Sequence, residues 1–277
     1  MTIFFFTFCV NIKKYSELEL TNCLVMLLNS IHKNMNNYKL LCFTNFKIEN
    51  IPKNYNIEFR EYYDKNKIKL YNNQWLNLSF NKINIYKDLY DEFKKDFIWI
   101  DLDTIICCDI SYINNLTNVF IENGGICTNK NVLFTNNNEI TVPRNRYIHG
   151  NFWKLNIELY NNLMTTFNEL LEKKLLLRYD LQDLFSYYIY IKNDGKLNNI
   201  NIIGNNIEKN SINGLCIWSK NGNTHATIEG LDNLYIVDNV LKSKFYIDKE
   251  IHILSFTFET LKKLYNTKKF NELFKSN

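Results

Sequence analysis

The sequence contains little that would tie the chain to a polyanion, to a thiolate metal site or to the interior of a membrane. Lys and Arg (33) nearly balance Asp and Glu (29), and a net charge of +4 is too small for the basic stripe of a nucleic-acid-binding protein. The seven cysteines never occur as C-x-x-C and lie mostly in apolar runs, which argues against disulfides and a thiolate zinc site. No apolar run reaches the length of a membrane span. We therefore expect a cytoplasmic protein that is soluble or at most peripheral to a membrane, with no nucleic-acid partner.

Glycine (8) and proline (2) are also scarce, while Asn, Ile, Lys, Tyr and Phe are abundant, as AT-rich codons would produce whatever the function. A hydrophobic fraction of 46% and an aromatic fraction of 15% indicate a folded globular chain. The sequence shows no linker poor in apolar residues, no repeat and no block of charge. We predict a single domain over residues 1–277.

Strand-like and helix-like segments alternate through the first hundred residues. Strands are predicted at 3–10, 38–45, 55–62 and 97–101, and helices at 16–34 and 75–93, the first of them capped by Ser16. This β-α-β-β-α-β order predicts an α/β fold with a doubly wound, mostly parallel sheet flanked by helices. Ligands bind such sheets beyond the carboxyl ends of the strands. The apolar segment 2–10 lacks the basic start and cleavage site of a signal sequence, so we interpret it as the first buried strand.

The pattern loosens in the second part of the chain, for which we predict a smaller mixed half. Short strands are predicted near 119–128, 131–135, 200–204, 215–218, 234–238 and 251–256, a turn-rich piece at 136–153, and helices at 156–175 and 180–192. The expected organisation is a first half at 1–105, a second half at 106–256 and a C-terminal helix within 257–277.

Two acids stand at the end of an apolar run, Asp101 and Asp103 in the segment FIWIDLDTII. A carboxylate in a strand buried on both faces is unfavourable unless it is paired, hydrogen-bonded or bound to a metal. Hard cations such as Mg²⁺ and Mn²⁺ take oxygen ligands of this kind. Both side chains can approach one ion only if the strand bends at Leu102. The alternative is a pair of acids that caps the strand end or the next helix.

The segment 97–110, FIWIDLDTIICCDI, resembles the D-x-D segment of GT-A fold glycosyltransferases, where an apolar strand ends in such a pair and a further acid follows, here Asp109. Residues 75–96 are similar to the helix that precedes the pair in many members. Residues 146–156 resemble the acceptor-loop segment, and residues 178–189 resemble a later acidic D-Q or D-E element. The sequence departs from the pattern at 149–151, where His-Gly-Asn replaces the usual Asn-Ser-Gly, and at 180–183, which is not a clean D-Q.

The resemblance implies a metal-dependent glycosyltransferase that moves a sugar from a nucleotide-sugar donor, usually a UDP-sugar, to a hydroxyl of a glycan, lipid-linked or protein acceptor. In this scheme a Mn²⁺ or Mg²⁺ ion joins the diphosphate to Asp103, while Asp101 touches the ribose or reaches the ion through water. The cation would offset the charge that builds on the departing diphosphate.

Residues near the end of the first strand are candidates for contacts with the donor. Thr7, Asn11 and Tyr15 are expected to meet the base and ribose, with Tyr15 or Phe8 stacking on the base, although all are also ordinary turn residues. Lys82 could reach the phosphates from the middle of its helix. The alternative for Lys82 is a solvated helix lysine.

Two further sets of residues follow from the resemblance. Asp180, Gln182 and Asp183 could serve as an acceptor base or as donor-sugar contacts, or they could simply cap the helix that follows. His252, in IHILSF, resembles the third metal ligand that several GT-A families carry on a late strand. If so, its ring should lie within about 10 Å of Asp103. The alternative is a core histidine bonded to backbone.

Two rival functions remain open at this point. The string FIWIDLDT is similar to the D-x-D-x-T motif of haloacid dehalogenase phosphatases, but Ile105 stands where Thr or Val should follow, and that motif opens those chains near the N-terminus. The second rival is a catalytically inactive GT-A-like domain used for binding.

The terminal segment 257–277 combines an apolar stripe with several lysines. It could contact an anionic membrane, as suits a lipid-linked acceptor, or dock on its own domain.

Overall fold

A seven-stranded sheet forms the centre of the protein in a computed structural model that describes residues 2–65, 74–122, 130–143, 146–179, 181–196, 199–203, 234–238, 240–243, 246–256, 258–264 and 267–268. The strands are β1 (Ile3–Cys9), β2 (Tyr38–Thr44), β3 (Ile57–Glu61), β4 (Ile98–Ile100), β5 (Thr104–Ile106), β6 (Asn118–Glu122), β7 (Lys130–Phe134), β8 (Asn137–Pro143), β9 (Ile148–Lys154), β10 (Ile200–Ile203), β11 (Leu234–Val237), β12 (Val240–Ser243), β13 (Tyr246–Glu250) and β14 (Ile253–Ser255). The helices are α1 (Glu17–Asn34), α2 (Gln74–Phe93), α3 (Ile157–Glu172), α4 (Leu181–Ser186) and α5 (Phe258–Leu264), with a 3-10 helix at Ser111–Asn115 and a π-helix at Tyr187–Lys192.

The order of strands in the central sheet is β10-β6-β9-β4-β1-β2-β3. Neighbouring strands are parallel except at β9, which runs antiparallel to both β4 and β6. The prediction of an α/β fold with a mostly parallel sheet and flanking helices is therefore confirmed at this level.

The two faces of the sheet carry two separate hydrophobic clusters. Alternate residues of β1 show this division, because Phe5 and Cys9 belong to one cluster while Phe6 and Phe8 belong to the other. The buried face of α1 packs in the first cluster, and apolar residues of α2, α3 and α4 pack in the second. Helices on both faces explain why the central strands are apolar along their whole length.

Helix α1 begins where the sequence predicts. The Ser16 hydroxyl accepts a hydrogen bond from the backbone N–H of Glu19 (3.3 Å), and the Glu19 carboxylate accepts one from the Ser16 backbone (2.9 Å). This reciprocal arrangement satisfies two amides at the start of the helix. Lys262 of α5 also pairs with Glu19, and these contacts lower the pKa of Glu19 to about 2.

The prediction of a turn-rich piece at 136–153 is wrong. The structure places β8 and β9 there, and every residue of β9 is buried between β4 and β6. The sequence of β9 does not look like a buried strand, because His149, Gly150 and Asn151 interrupt the apolar pattern. Their burial depends on pairing with distant strands and not on local periodicity.

Three smaller antiparallel sheets accompany the central one: β14-β5, β7-β8 and β11-β12-β13. The short strands β5, β12 and β13 were not predicted. The predicted strand at 215–218 lies outside the described residues. Within the described part of the chain, none of the helices combines the length and the hydropathy that a membrane span requires.

Candidate active site

The order of strands reverses beside β1. The chain passes from β1 to β2 and β3 on one side, and then returns to form β4 on the other side of β1. Such a switch point leaves a crevice at the carboxyl ends of the two strands, because the connections leave in opposite directions. Asp101 directly follows β4, and residues 10–16 follow β1, so both segments lie at this crevice.

The chain turns sharply at the two acids. The Thr104 N–H donates to the Asp101 carbonyl (3.2 Å), which closes a tight turn across Leu102. On one side of the turn, β4 belongs to the central sheet, and on the other, β5 pairs with β14. The Phe256 N–H donates to the Asp103 carbonyl (3.0 Å) and holds the far side of the turn. The bend that the sequence requires at Leu102 is therefore present.

A cleft of about 640 Å³, including space open to solvent, lies over this turn. The cleft is lined by Phe8, Val10, Ile12, Tyr15, Leu20, Leu78, Ser79, Lys82, Trp99, Asp101, Leu102, Asp103 and Phe258. Residues from the ends of β1 and β4, from α1 and α2 and from the start of α5 thus meet in one place.

Two side chains of the protein fix the position of the Asp101 carboxylate. Its Oδ1 accepts hydrogen bonds from Lys82 Nζ (2.7 Å) and from the indole N–H of Trp99 (2.8 Å). The ammonium also lies 4.5 Å from the centre of the Trp99 ring, within the range of a cation–π contact. The side chains of Lys82 and Asp101 are only 12% and 27% exposed. Lys82 is therefore a half-buried cation in the wall of the cleft and not the solvated lysine of the alternative interpretation.

Asp103 lies in a different electrostatic environment. Within the described ranges, its side chain has no ion pair and no hydrogen bond to another residue's side chain. Burial raises the pKa of the Asp103 carboxyl to about 8, with a further contribution from the negative charge of Asp101, while Lys82 partly opposes the shift. A cation bound between the two carboxylates would relieve this unfavourable charge.

The two acids fit a hard divalent cation that keeps other oxygen ligands. Within the part of the chain that the structure describes, no group of three or more His, Cys, Asp or Glu side chains is placed to share an ion. Two carboxylates are nevertheless what Mg²⁺ and Mn²⁺ use where phosphate oxygens and water complete the shell. Asp101 and Asp103 could hold such an ion together with a diphosphate.

Aromatic residues form the wall of the cleft next to β1. Tyr15 stacks on Phe258 of α5, with ring centroids 3.8 Å apart and an interplanar angle of 29°. Phe8 packs edge-on against Trp99 with centroids 4.8 Å apart. Tyr15 and Phe8 therefore both line the cleft, but Tyr15 already stacks on a ring of the same chain. A planar base would have to use the exposed part of Tyr15 or displace Phe258.

Two predicted donor contacts do not line the cleft. Thr7 lies inside β1, opposite Cys42 of β2, and is fully buried on the same face as Phe5 and Cys9, so the expected contact of Thr7 with the donor is not supported. Asn11 is engaged in the adjoining loop, where its backbone exchanges two hydrogen bonds with the side chain of Asn45 (2.8 and 2.9 Å). Its side chain accepts from the Lys13 N–H (2.8 Å).

Among the described residues of the acidic element in the second half, neither Gln182 nor Asp183 lines the cleft. Asp183 is 0% exposed and accepts hydrogen bonds from the Tyr147 hydroxyl (2.7 Å) and from the Tyr179 N–H, so the structure does not present it as a catalytic base. Gln182 is half-buried and packs so closely on Gly150 that a Cβ there would meet the Gln182 side chain at 2.9 Å. Asp180 lies outside the described residues.

His252 is not brought to the two acids. Antiparallel pairing of β14 with β5 puts Ser255 opposite Thr104, and the His252 carbonyl accepts from the Cys107 N–H (2.8 Å), at the far end of β5. His252 stands four positions before Phe256, or about 13 Å along an extended chain. The His252 ring is hydrogen-bonded to the Tyr112 hydroxyl (2.8 Å), and burial lowers its pKa. The expected third metal ligand is not supported, because register moves it away from the cleft.

Several cleft residues escaped the sequence prediction. Leu78 and Ser79 stand four and three positions before Lys82, a spacing that puts all three on one face of α2. Trp99 stands two positions before Asp101, which puts both on one face of the β4 strand. These two periodicities were available signals. Phe258 carried no such signal, since only the tertiary fold brings α5 to β1.

The chain matches no protein-family model, and no curated protein matches it significantly in sequence.

Proposed function

We propose that the protein is a metal-dependent glycosyltransferase of the GT-A fold. It moves a sugar from a nucleotide-sugar donor, with a UDP-sugar as the expected donor, to a hydroxyl of a glycan, lipid-linked or protein acceptor. The observation that carries the proposal is the position of Asp101, Asp103 and Lys82. All three line a single cleft at the switch point of a mostly parallel sheet.

The charges in the cleft are suited to a diphosphate that carries a cation. A Mn²⁺ or Mg²⁺ ion would supply Lewis-acid stabilisation of the negative charge on the leaving diphosphate. Asp103 offers a carboxylate with no competing side-chain partner in the described ranges, and Asp101 offers its Oδ2. Lys82 adds a half-buried positive charge beside the same position, so it could bind a phosphate oxygen directly.

The aromatic wall of the cleft is suited to the nucleoside. Tyr15 and Phe8 provide apolar faces at the mouth of the cleft, adjacent to the charged residues. A base stacked there would leave its diphosphate pointing towards Asp101 and Asp103. Stacking on an aromatic face is tolerant of the base, so uridine is the expected base from the family resemblance and not from this wall.

The proposal is tested by a screen of nucleotide sugars for hydrolysis in the presence of Mn²⁺, with release of the nucleoside diphosphate as the readout. We expect one donor to be hydrolysed by the wild type, and neither the Asp103→Asn variant nor an EDTA-treated sample to do so. Hydrolysis of p-nitrophenyl phosphate without any nucleotide-sugar turnover would support the haloacid dehalogenase alternative instead. Nucleotide binding with no turnover of any donor would indicate an inactive binding domain.

A further inference from the structure

Two buried tryptophans face each other across β4 and β9, and only one of them touches the cleft. Trp99 and Trp153 are paired in the register of the two strands, and their rings stack at 6.3 Å with an interplanar angle of 22°. Both are at most 1% exposed. The indole N–H of Trp99 donates to Asp101, whereas that of Trp153 has no hydrogen-bond partner among the described residues.

Trp99 acts on both charged groups of the cleft wall. Its N–H donates to Asp101 Oδ1 (2.8 Å), and the face of its ring lies 4.5 Å from the Lys82 ammonium. That ammonium donates to the same Oδ1 (2.7 Å). One oxygen of Asp101 therefore accepts two hydrogen bonds, while Oδ2 accepts none from the described residues.

Packing in the core fixes the orientation of the Trp99 indole. Phe6 and Phe8 pack against its ring edge-on, with centroids 5.0 and 4.8 Å away, and Trp153 stacks on it. A close-packed indole of this kind has no alternative rotamer, so its N–H points in one direction. A carboxylate bonded to it loses the freedom to rotate before any ligand arrives.

We propose that Trp99 is a positioning residue that turns Asp101 Oδ1 inwards, towards its own N–H and Lys82, so that Oδ2 alone faces the bound diphosphate and its cation. Asp101 then serves the ligand through one oxygen, and Asp103 supplies the remaining carboxylate contacts. This inference rests on the proposed function, because it assumes that a nucleoside diphosphate occupies the cleft.

The test compares Trp99→Phe with Trp153→Phe, a matched control on the neighbouring strand. Each change removes an indole N–H and leaves an aromatic ring in the same core, but only the first removes a bond to Asp101. We measure the melting temperature of each variant and the affinity for UDP with Mn²⁺ by calorimetry. We expect a smaller loss of melting temperature for Trp153→Phe, which removes an N–H without a partner among the described residues, and a UDP affinity about tenfold weaker for Trp99→Phe alone. Equal affinities in the two folded variants would overturn the inference.

A second measurement keeps Trp99 in place, in case Trp99→Phe does not fold. The indole N–H signals in ¹H–¹⁵N spectra report on each tryptophan, and Asp101→Asn should shift the signal of Trp99 while that of Trp153 stays in place. Addition of UDP with diamagnetic Mg²⁺ should likewise move the Trp99 signal. If UDP raises the melting temperature while the Trp99 signal stays fixed, the inference is wrong and the proposed function stands. If no nucleotide binds, both are wrong.

Discussion

Two acidic elements of similar appearance in the sequence have opposite environments in the structure. Asp103 stands at a turn between two sheets, faces a cleft and has no side-chain partner within the described ranges. Asp183 stands in the first turn of α4, is fully buried and has hydrogen bonds from Tyr147 and Tyr179 on its two oxygens. The residue type is the same, but the Asp103 carboxylate can still accept contacts from a ligand, whereas both oxygens of Asp183 already accept hydrogen bonds from the protein.

This difference teaches how a functional acid can be recognised. A carboxylate that the protein satisfies by itself stabilises the fold, and removing it leaves buried donors without a partner. A carboxylate that the protein buries in part without satisfying it destabilises the fold unless a ligand binds. The four predictions below test whether the two elements differ in this way.

The largest effect on stability is expected for Asp183→Ala. The change removes the acceptor of the buried Tyr147 hydroxyl and of the part-buried Tyr179 N–H, so the free energy of unfolding should fall by about 3 kcal/mol. Chemical denaturation measures it. Asp183→Asn, which keeps one acceptor oxygen, should lose less. A folded Asp183→Ala variant of wild-type stability that no longer binds UDP would place Asp183 in the site and break the comparison.

A smaller effect, on ligand binding, is expected for Lys82→Met. The variant removes the half-buried cation beside Asp101, so the affinity for UDP with Mn²⁺ should fall about tenfold. The matched control is Lys87→Met on the same helix, where the lysine pairs with Asp91 at the surface. Calorimetry should show unchanged affinity for that control. Equal affinities for both variants would mean that Lys82 only neutralises Asp101.

A pH dependence of stability should follow from Asp103. Its pKa is raised from 3.8 to about 8 in the folded protein, so between these values the folded state holds a proton that the unfolded state has lost. The contribution of Asp103 therefore favours folding at low pH and is lost as the pH rises through this window. Melting temperatures measured from pH 5 to pH 8 should decline more steeply for the wild type than for Asp103→Asn. Parallel curves would contradict the unfavourable charge assigned to Asp103.

The smallest effect is expected for His252→Phe. The variant loses the hydrogen bond with Tyr112, which is worth about 1 kcal/mol, but keeps a ring in the same place. Since register puts His252 at the far end of β5, the Mn²⁺ dependence of UDP binding should not change. A large increase in the Mn²⁺ concentration required would restore His252 as a metal ligand and show that the strand shifts on binding.

The sequence predicts the first half of this fold well, because hydrophobic periodicity is a local property there. The Asp pair was also predictable, since carboxylates inside an apolar run require a partner. What failed depended on long-range pairing. The register of β1 with β2 puts Thr7 opposite Cys42 and not at the cleft. The register of β14 on β5 places His252 away from the cleft. Pairing with β4 and β6 makes the polar segment of β9 a central strand.

The most direct test of the account is the thermal stability of the wild type and Asp103→Asn with UDP, with Mn²⁺ and with both. A ligand that binds only the folded state raises its stability, and here the ion and the diphosphate complete each other's coordination. The account predicts a clear rise in the wild type with UDP and Mn²⁺ together, little with either alone, and none in Asp103→Asn. An equal rise in both proteins, or none in the wild type, would contradict it.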